Sequence, residues 1–342
     1  VSDETILGLP ARPTALAALA VLVVAPFVLP TFQTYVLSEV LVLALFATGF
    51  NLLYGYTGLL SFGHAMFFGG AGYALGIFLR DVAPSLPFGG ATPLVAFAIA
   101  AVLGVLVATA IAIPVGYLSV RLEEIYFAML TLSFSMALYT LVNQNYFGVT
   151  NGSDGILVLL QTSNLFGFQL SLYDRVTYYF VILLVVAPAM YILWRVSNSP
   201  FGLVSEAIRE NSERASGLGI DVRRHQWGAF VLSAVFTGIA GVLVAPLHSS
   251  LSPGASLHWT ISAEPVIMTV FGGPYSFIGP TVGALFYRYI RWGITQFPLL
   301  EAHWQLVFGT LILVIVVFAP RGVSGLLKWA VDRVRGNGGE SA

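Results

Sequence analysis

The chain has 342 residues, of which 57% are hydrophobic and 9% charged, with a formal net charge of −1 and no cysteine. A soluble domain carries roughly 25% charged residues, so a soluble globular body is excluded, and the missing thiols exclude disulfides, thiol catalysis and cysteine-held metals. The near-neutral balance offers no electrostatic pull toward nucleic acid.

Apolar runs of about 20 residues, the length that crosses a bilayer as a helix, recur along the chain without the strict alternation of a membrane barrel. The expected fold is all-α: one polytopic membrane domain over residues 1–342, with about ten transmembrane helices, some short or broken. The first span is expected at Thr14–Leu29. Arg12 makes it imitate a secretory leader, but a second run follows at once and no small-residue cleavage site is clear, so it reads as a retained span. The second runs from Tyr35 to Tyr54 and meets the glycine-rich stretch "GYTGLLSFGHAMFFGGAGYALG", ahead of a short third span at Ala65–Leu79.

Ser61 and His64 stand three apart in that stretch. A nucleophile elbow needs glycine two residues before the serine, where this chain has Leu59, and no acid stands nearby to orient the histidine. The five histidines, at 64, 225, 248, 258 and 303, form no HExxH pair. The glycines are the stronger signal, because they permit a helix break and close helix approach. Two readings stand: Ser61 and His64 satisfy freed backbone groups, or they line a water-filled path beside the break.

Further spans are expected at Ala91–Leu118, Ile125–Val142, Thr177–Trp194, Trp227–Leu247, Ile261–Phe271, Ile278–Phe297 and His303–Phe318. The eighth is short, holds Glu264 before Pro265, and adjoins a second glycine-rich break, "FGGPYSFIGPTVGA". Its likeness to the first break hints at two related halves. Arg288 and Arg291, three apart in the ninth span, are expected near its outer end, snorkelling beside Trp292 and Trp304; pairing with Glu264 is the alternative. Glu264 itself reads either as interfacial or arginine-paired, or as lining a path.

The segment 195–226 carries Arg195, Arg209, Arg214, Arg223 and Arg224, and the tail 320–342 carries Arg321, Lys328, Arg333 and Arg335. The loop 143–174 has no basic residue, although Asn143, Asn145, Asn151 and Asp154 make it polar. Basic residues stay on the inner side, so 195–226 and both termini are expected to be cytoplasmic and 143–174 extracytoplasmic, which requires an even number of spans.

Within "SPFGLVSEAIRENSERASGLGID", Ser199 suits an N-cap and Pro200 the first helical position. Phe201, Val204, Ile208, Ala215 and Leu218 mark an apolar stripe at helical spacing, decorated by Glu206, Arg209, Glu210, Glu213 and Arg214. Ser212–Glu213 suits a second short turn, and Gly217 and Gly219 offer left-handed stops. A lipid-surface helix favours basic residues; mixed charges around apolar anchors fit docking into a partner's groove.

This loop resembles the EAA coupling loop of ABC importer permeases, here as Glu206-Ala207-Ile208 followed by Gly217 and Gly219, with Ile208 departing from the third position of the triplet. Together with the stretch at 55–76, "YFAMLTLSFSMALYTLVNQNYFGVTNGSDGI" and "VFGGPYSFIGPTVGALF", it is similar in order to the LivM-type branched-chain amino acid permeases over roughly residues 35–327. The resemblance implies a multi-pass inner-membrane subunit of an ATP-driven importer of small hydrophobic amino acids. It further implies a LivH-type membrane subunit, two ATP-binding subunits of LivG/LivF type, and an extracytoplasmic binding protein. The ATP and magnesium sites then belong to the ATPase partners. The sole lysine is Lys328 and no P-loop motif is present, so this chain supplies no nucleotide site of that kind.

On this reading the chain is not an enzyme. Ser199, Pro200, Phe201, Glu206, Ala207, Ile208, Arg209, Glu210, Gly217 and Gly219 couple to the ATPase, and Ser61, Gly63, His64, Glu264, Gly272 and Gly273 shape the path. Import of urea or short amides on the same scaffold is one alternative. A secondary carrier with Glu264 as ion-coupling group is another, opposed by the coupling-type loop and by the lack of further acids within the spans.

Overall fold

The computed structural model describes residues 5–6, 9–86 and 92–297 apart from 147, 166 and 167, together with 303, 306–311, 313, 322, 323 and 325. The expected tenth span lies largely outside the described residues, as does nearly all of the tail 320–342.

Twelve α-helices are formed among the described residues: α1 Ala11–Val28, α2 Thr31–Thr57, α3 His64–Ile77, α4 Thr92–Ser119, α5 Glu124–Asn143, α6 Arg175–Ser197, α7 Pro200–Glu210, α8 Ser212–Gly217, α9 Val222–His248, α10 Pro253–Ser256, α11 Trp259–Gly272 and α12 Gly279–Thr295. Five of them, α2, α4, α5, α6 and α9, are long and apolar enough to cross a membrane. The fold is an all-α polytopic membrane protein. Helices α3 and α11 have 14 residues each, about 21 Å at 1.5 Å per residue, shorter than a hydrocarbon core of about 30 Å.

Burial sorts the long helices into two shells. The apolar windows of α2 and α9 are 89% and 72% buried, against 22–39% for α4, α5 and α6. Helix α9 packs against α2, α3 and α4, α2 packs against α6, α11 and α12, and α11 and α12 lie along each other. Helices α1, α4 and α6 turn Leu, Val, Ile and Phe side chains outward, among them Val21, Phe27, Val102, Leu106 and Leu184.

Small residues set the closest approaches. A Cβ on Gly241 of α9 would run into the Phe68 carbonyl of α3, and one on Gly104 of α4 would meet Val242 and the Ala71 carbonyl. In lipid, where apolar burial no longer separates protein from solvent, such backbone contact is what draws helices together.

The two ends of the bundle differ. At one end sit α7, α8 and the α4–α5 turn. At the other, Ile156–Leu157 pairs antiparallel with Ser250–Leu251, and residues 162–165 form a hairpin with 168–171. There Arg80, in a π-helical turn over Phe78–Val82, ion-pairs with Asp81 at 2.7 Å and donates to the Val149 carbonyl at 2.8 Å, tying α3 to the polar loop. The Arg80 guanidinium holds the Asp81 carboxyl below its ordinary value.

Candidate functional site

Helix α7 begins as its sequence dictates. Ser199 Oγ accepts from Phe201 N at 3.2 Å with Pro200 at the first position, an N-cap placed where the first amides lack partners. Helix α8 starts at Ser212, where the second turn is expected, and Asn211 caps it, accepting from Arg214 N at 2.7 Å. Gly219 takes the left-handed conformation at φ +86, whereas Gly217 is the last helical residue and has negative φ.

The apolar stripe turns inward except at Leu218, which is 78% exposed. Ile208 and Ala215 are buried, and Phe201 stacks on His225 of α9 with ring centroids 4.2 Å apart. Ser205 Oγ lies 2.8 Å from His225 Nε2. Gly202 is buried so closely that a Cβ there would strike the Ser197 carbonyl. The stripe therefore seats the loop on its own membrane domain. What remains outward is a second row, Leu203, Ala207 and Glu210, at i, i+4 and i+7 on one face, with Leu218 also exposed.

The seat is the end of α2, the most buried long helix. Its last turn closes with Gly58 at φ +82, where Gly58 N donates to Tyr54 O at 3.1 Å and Leu59 N to Leu53 O at 3.2 Å, a left-handed stop that glycine adopts without steric penalty. Arg209 Nη1 donates to the Gly55 carbonyl, and its guanidinium carbon sits 5.0 Å from the centre of the Tyr275 ring. Glu206 is half-buried and within electrostatic range of Tyr56. A cleft of about 1230 Å³ opens beside this seat, lined by Thr57–Leu59, by the α4–α5 turn around Arg121 and Glu123, and by α7–α8.

From Gly58 the chain runs through Leu59–Gly63 and restarts as α3, within the bundle. Its freed amides are met by hydroxyls from three directions. Ser61 Oγ accepts from Gly63 N at 3.2 Å, Thr131 Oγ1 of α5 from Phe62 N at 3.3 Å, and Ser262 Oγ of α11 from Ala65 N at 2.7 Å. His64 is wholly buried, with Nε2 2.7 Å from Ser233 Oγ of α9 and its ring edge-on to Phe50, Phe67 and Phe230. Ser61 thus satisfies backbone, and His64 packs in an aromatic cage.

The second break is built differently. The backbones of α11 and α12 touch. A Cβ on Gly272 would meet the Gly279 carbonyl, and one on Gly283 the Met268 carbonyl, while Gly273 turns the chain at φ +103. Helices α2 and α3 are instead both packed along α9. The sequence likeness of the two breaks does not carry over to their geometry.

Toward the far ends of α2 and α12 lies a charged cluster. Arg288 pairs with Glu39 of α2 at 2.6 Å, His248 approaches Glu39 at 3.8 Å, and Arg291 pairs with Glu264 at 3.2 Å. The sequence alternative, Arg291 with Glu264, is the pairing found, and Arg288 turns to Glu39 of α2. Glu39 also corrects the expectation that the spans hold no acid besides Glu264. It lies inside the run expected as the second span, and an ionisable residue there is itself the signal that finds it. The hydroxyls of Thr131, Ser233 and Ser262, by contrast, leave no signal in the sequence, because serine and threonine are ordinary in apolar helices.

In the polar loop, Asn145 and Asn151 take positive φ, and Asn145 Oδ1 accepts from Thr150 N at 2.9 Å, so this part is a set of closed turns. Among the described residues, no three His, Cys, Asp or Glu side chains gather as metal ligands would.

The profile of the family described as branched-chain amino acid transport system / permease component matches residues 33–317. The chain is 28% identical to the high-affinity branched-chain amino acid transport system permease protein LivM of Escherichia coli, over 90% of this chain and 74% of that protein. The corresponding protein of Salmonella typhimurium is 27% identical with the same coverage. A probable branched-chain amino acid transport permease protein LivM of Methanocaldococcus jannaschii is 23% identical over 80% of this chain and 87% of its own length. No solved structure matches significantly.

Proposed function

We propose, from the premise that this chain belongs to the family of branched-chain amino acid transport system permease components, that it is the membrane-spanning subunit of an ATP-driven importer. It carries branched-chain amino acids and leaves ATP hydrolysis to partner subunits. The observation that supports this most directly is the division of labour in α7. Phe201 on His225 of α9 and Arg209 on the end of α2 seat the loop on the membrane domain, and the second face of α7, Leu203, Ala207 and Glu210, stays exposed. Exposed leucines among charged residues suit a short helix laid into a partner's groove.

The partners on this reading are a LivH-type membrane subunit, two ATP-binding subunits of LivG/LivF type that hold ATP and magnesium, and an extracytoplasmic binding protein. The chain crosses the inner membrane ten times with both termini cytoplasmic. The α7–α8 end, with its arginines, is then the inner end, and the closed turns of 143–174 face the binding protein. The six path residues take unequal parts. Ser61, Gly63 and His64 maintain the shape of the first break, Gly272 and Gly273 that of the second, and Glu264 holds α11 to α12 at the outer half.

Reconstitution of the chain with its partners, followed by uptake of labelled leucine and urea, tests the reading. Leucine uptake that needs ATP, the ATPase and the binding protein is expected; uptake by the chain alone without ATP, or of urea in preference, would overturn it.

A second expectation concerns the free face. Leu203→Arg combined with Ala207→Arg places charge where an apolar groove is expected, and a docking anchor contributes about 2 kcal/mol or more. Co-purification of the ATPase subunits is expected to fall at least about tenfold while the chain still inserts. Unchanged co-purification would remove α7 as the docking helix.

A further inference from the structure

The loop helix and the two helix breaks are far apart in sequence, and one side chain touches all three. Arg209 leaves α7 toward the bundle, with 23% of its side chain exposed. Its Nη1 donates to the Gly55 carbonyl in the last turn of α2, and its Cγ lies against Gly58, where even a methyl group would sit at 3.1 Å. Its guanidinium covers the ring of Tyr275 in the α11–α12 turn at 5.0 Å, and Nη2 reaches Glu210 at 2.9 Å. The carbonyl of Pro274, in the same turn, faces Gly55 closely enough that a Cβ there would collide with it.

We propose that Arg209 is the positioning residue that carries displacement of the loop helix to both helix breaks at once; the inference rests on the transporter reading above. The chemistry of the contact fits the task. The last carbonyls of α2 lack helical donors and form the negative end of its dipole, so a fixed cation holds them firmly. The planar guanidinium donates to the carbonyl and stacks on the phenol ring at the same time, which a lysine ammonium does less well. Through this one side chain, a push on α7 reaches the end of the central helix and the turn of the hairpin together. Tyr275 is itself 73% exposed, so the aromatic half of the contact adds little to packing.

The test measures labelled leucine moved per ATP hydrolysed by the full reconstituted importer. Arg209→Gln is expected to lower that ratio about tenfold, the equivalent of one lost charge-assisted contact. Arg209→Lys and Tyr275→Leu are expected to lower it less, and Tyr275→Phe, which keeps the ring face, to restore it to the native ratio. A native ratio in both Arg209→Gln and Tyr275→Leu overturns the inference. Should Arg209→Gln fail to assemble, the Tyr275 pair decides, since an exposed ring is dispensable for folding: equal ratios in the Leu and Phe variants overturn the proposal. An unsubstituted importer that moves leucine without hydrolysing ATP overturns the transporter reading itself, a different result from a coupled importer indifferent to Arg209.

Discussion

Arg288→Ala is expected to destabilise the folded chain by about 3–5 kcal/mol, the usual cost of leaving a buried charge without its partner. Glu39 is the reason. It lies on α2 with 16% of its side chain exposed, and its close cationic partner is Arg288 at 2.6 Å, with His248 further off at 3.8 Å. Glu39→Gln together with Arg288→Gln removes both charges and is expected to cost less than either single change, because the desolvation penalty goes with them. Thermal unfolding in detergent of the native chain, Glu39→Gln, Arg288→Gln and the double variant closes a double-mutant cycle. A coupling below about 0.5 kcal/mol, the ordinary scatter for independent sites, would show that the pair does not hold α12 to α2. Arg291 and Glu264 provide a parallel case: Glu264 has 17% of its side chain exposed, close to the 16% of Glu39, so loss of Arg291 likewise strands a largely buried carboxylate and is expected to cost a comparable amount.

Gly272→Ala is the second large effect. The added methyl meets the Gly279 carbonyl, and backbone cannot rotate aside as a side chain can. The cost is expected at or above the upper end of the roughly 1–3 kcal/mol typical of overpacking, with Gly283→Ala similar because its Cβ meets the Met268 carbonyl. Gly293→Ala on the same hairpin is the control, since nothing lies within 4 Å of the Cβ position; there the better helix former is expected to be neutral or stabilising by up to about 1 kcal/mol. Equal melting temperatures for the Gly272 and Gly293 variants would mean that the α11–α12 contact tolerates a wider spacing.

Where sequence reasoning succeeded, it did so because the information was local. Ser199, Pro200 and Gly219 define the ends of the loop helices through their own backbone preferences and hydrogen-bonding reach, and the structure places them as such. The short helices after Gly63 and around Glu264 follow from breaks in apolar length. Where it misled, distant partners decided. The stripe of Phe201, Val204, Ile208, Ala215 and Leu218 has the spacing of a docking face, yet Ile208 and Ala215 are buried and Phe201 stacks on His225, while Leu218 alone stays exposed. Arg288 reads as an interfacial residue from Trp292 and Trp304, yet its ion-pair partner is 249 residues earlier in the chain.

From the sequence alone came the membrane class, most helix positions, the capped loop helices and the family. Each of these depends on apolar run length, local capping or short motifs, which are properties of neighbours along the chain. Tertiary structure alone decided which face of α7 is free, which hydroxyls close the break before α3, which arginine meets which acid, and that Arg209 spans both breaks. In a bilayer apolar side chains are at home against lipid as well as against protein, so hydropathy does not say which faces meet. That choice falls to backbone approach at glycine and to the pairing of a few polar groups, and both exist only once the helices are assembled.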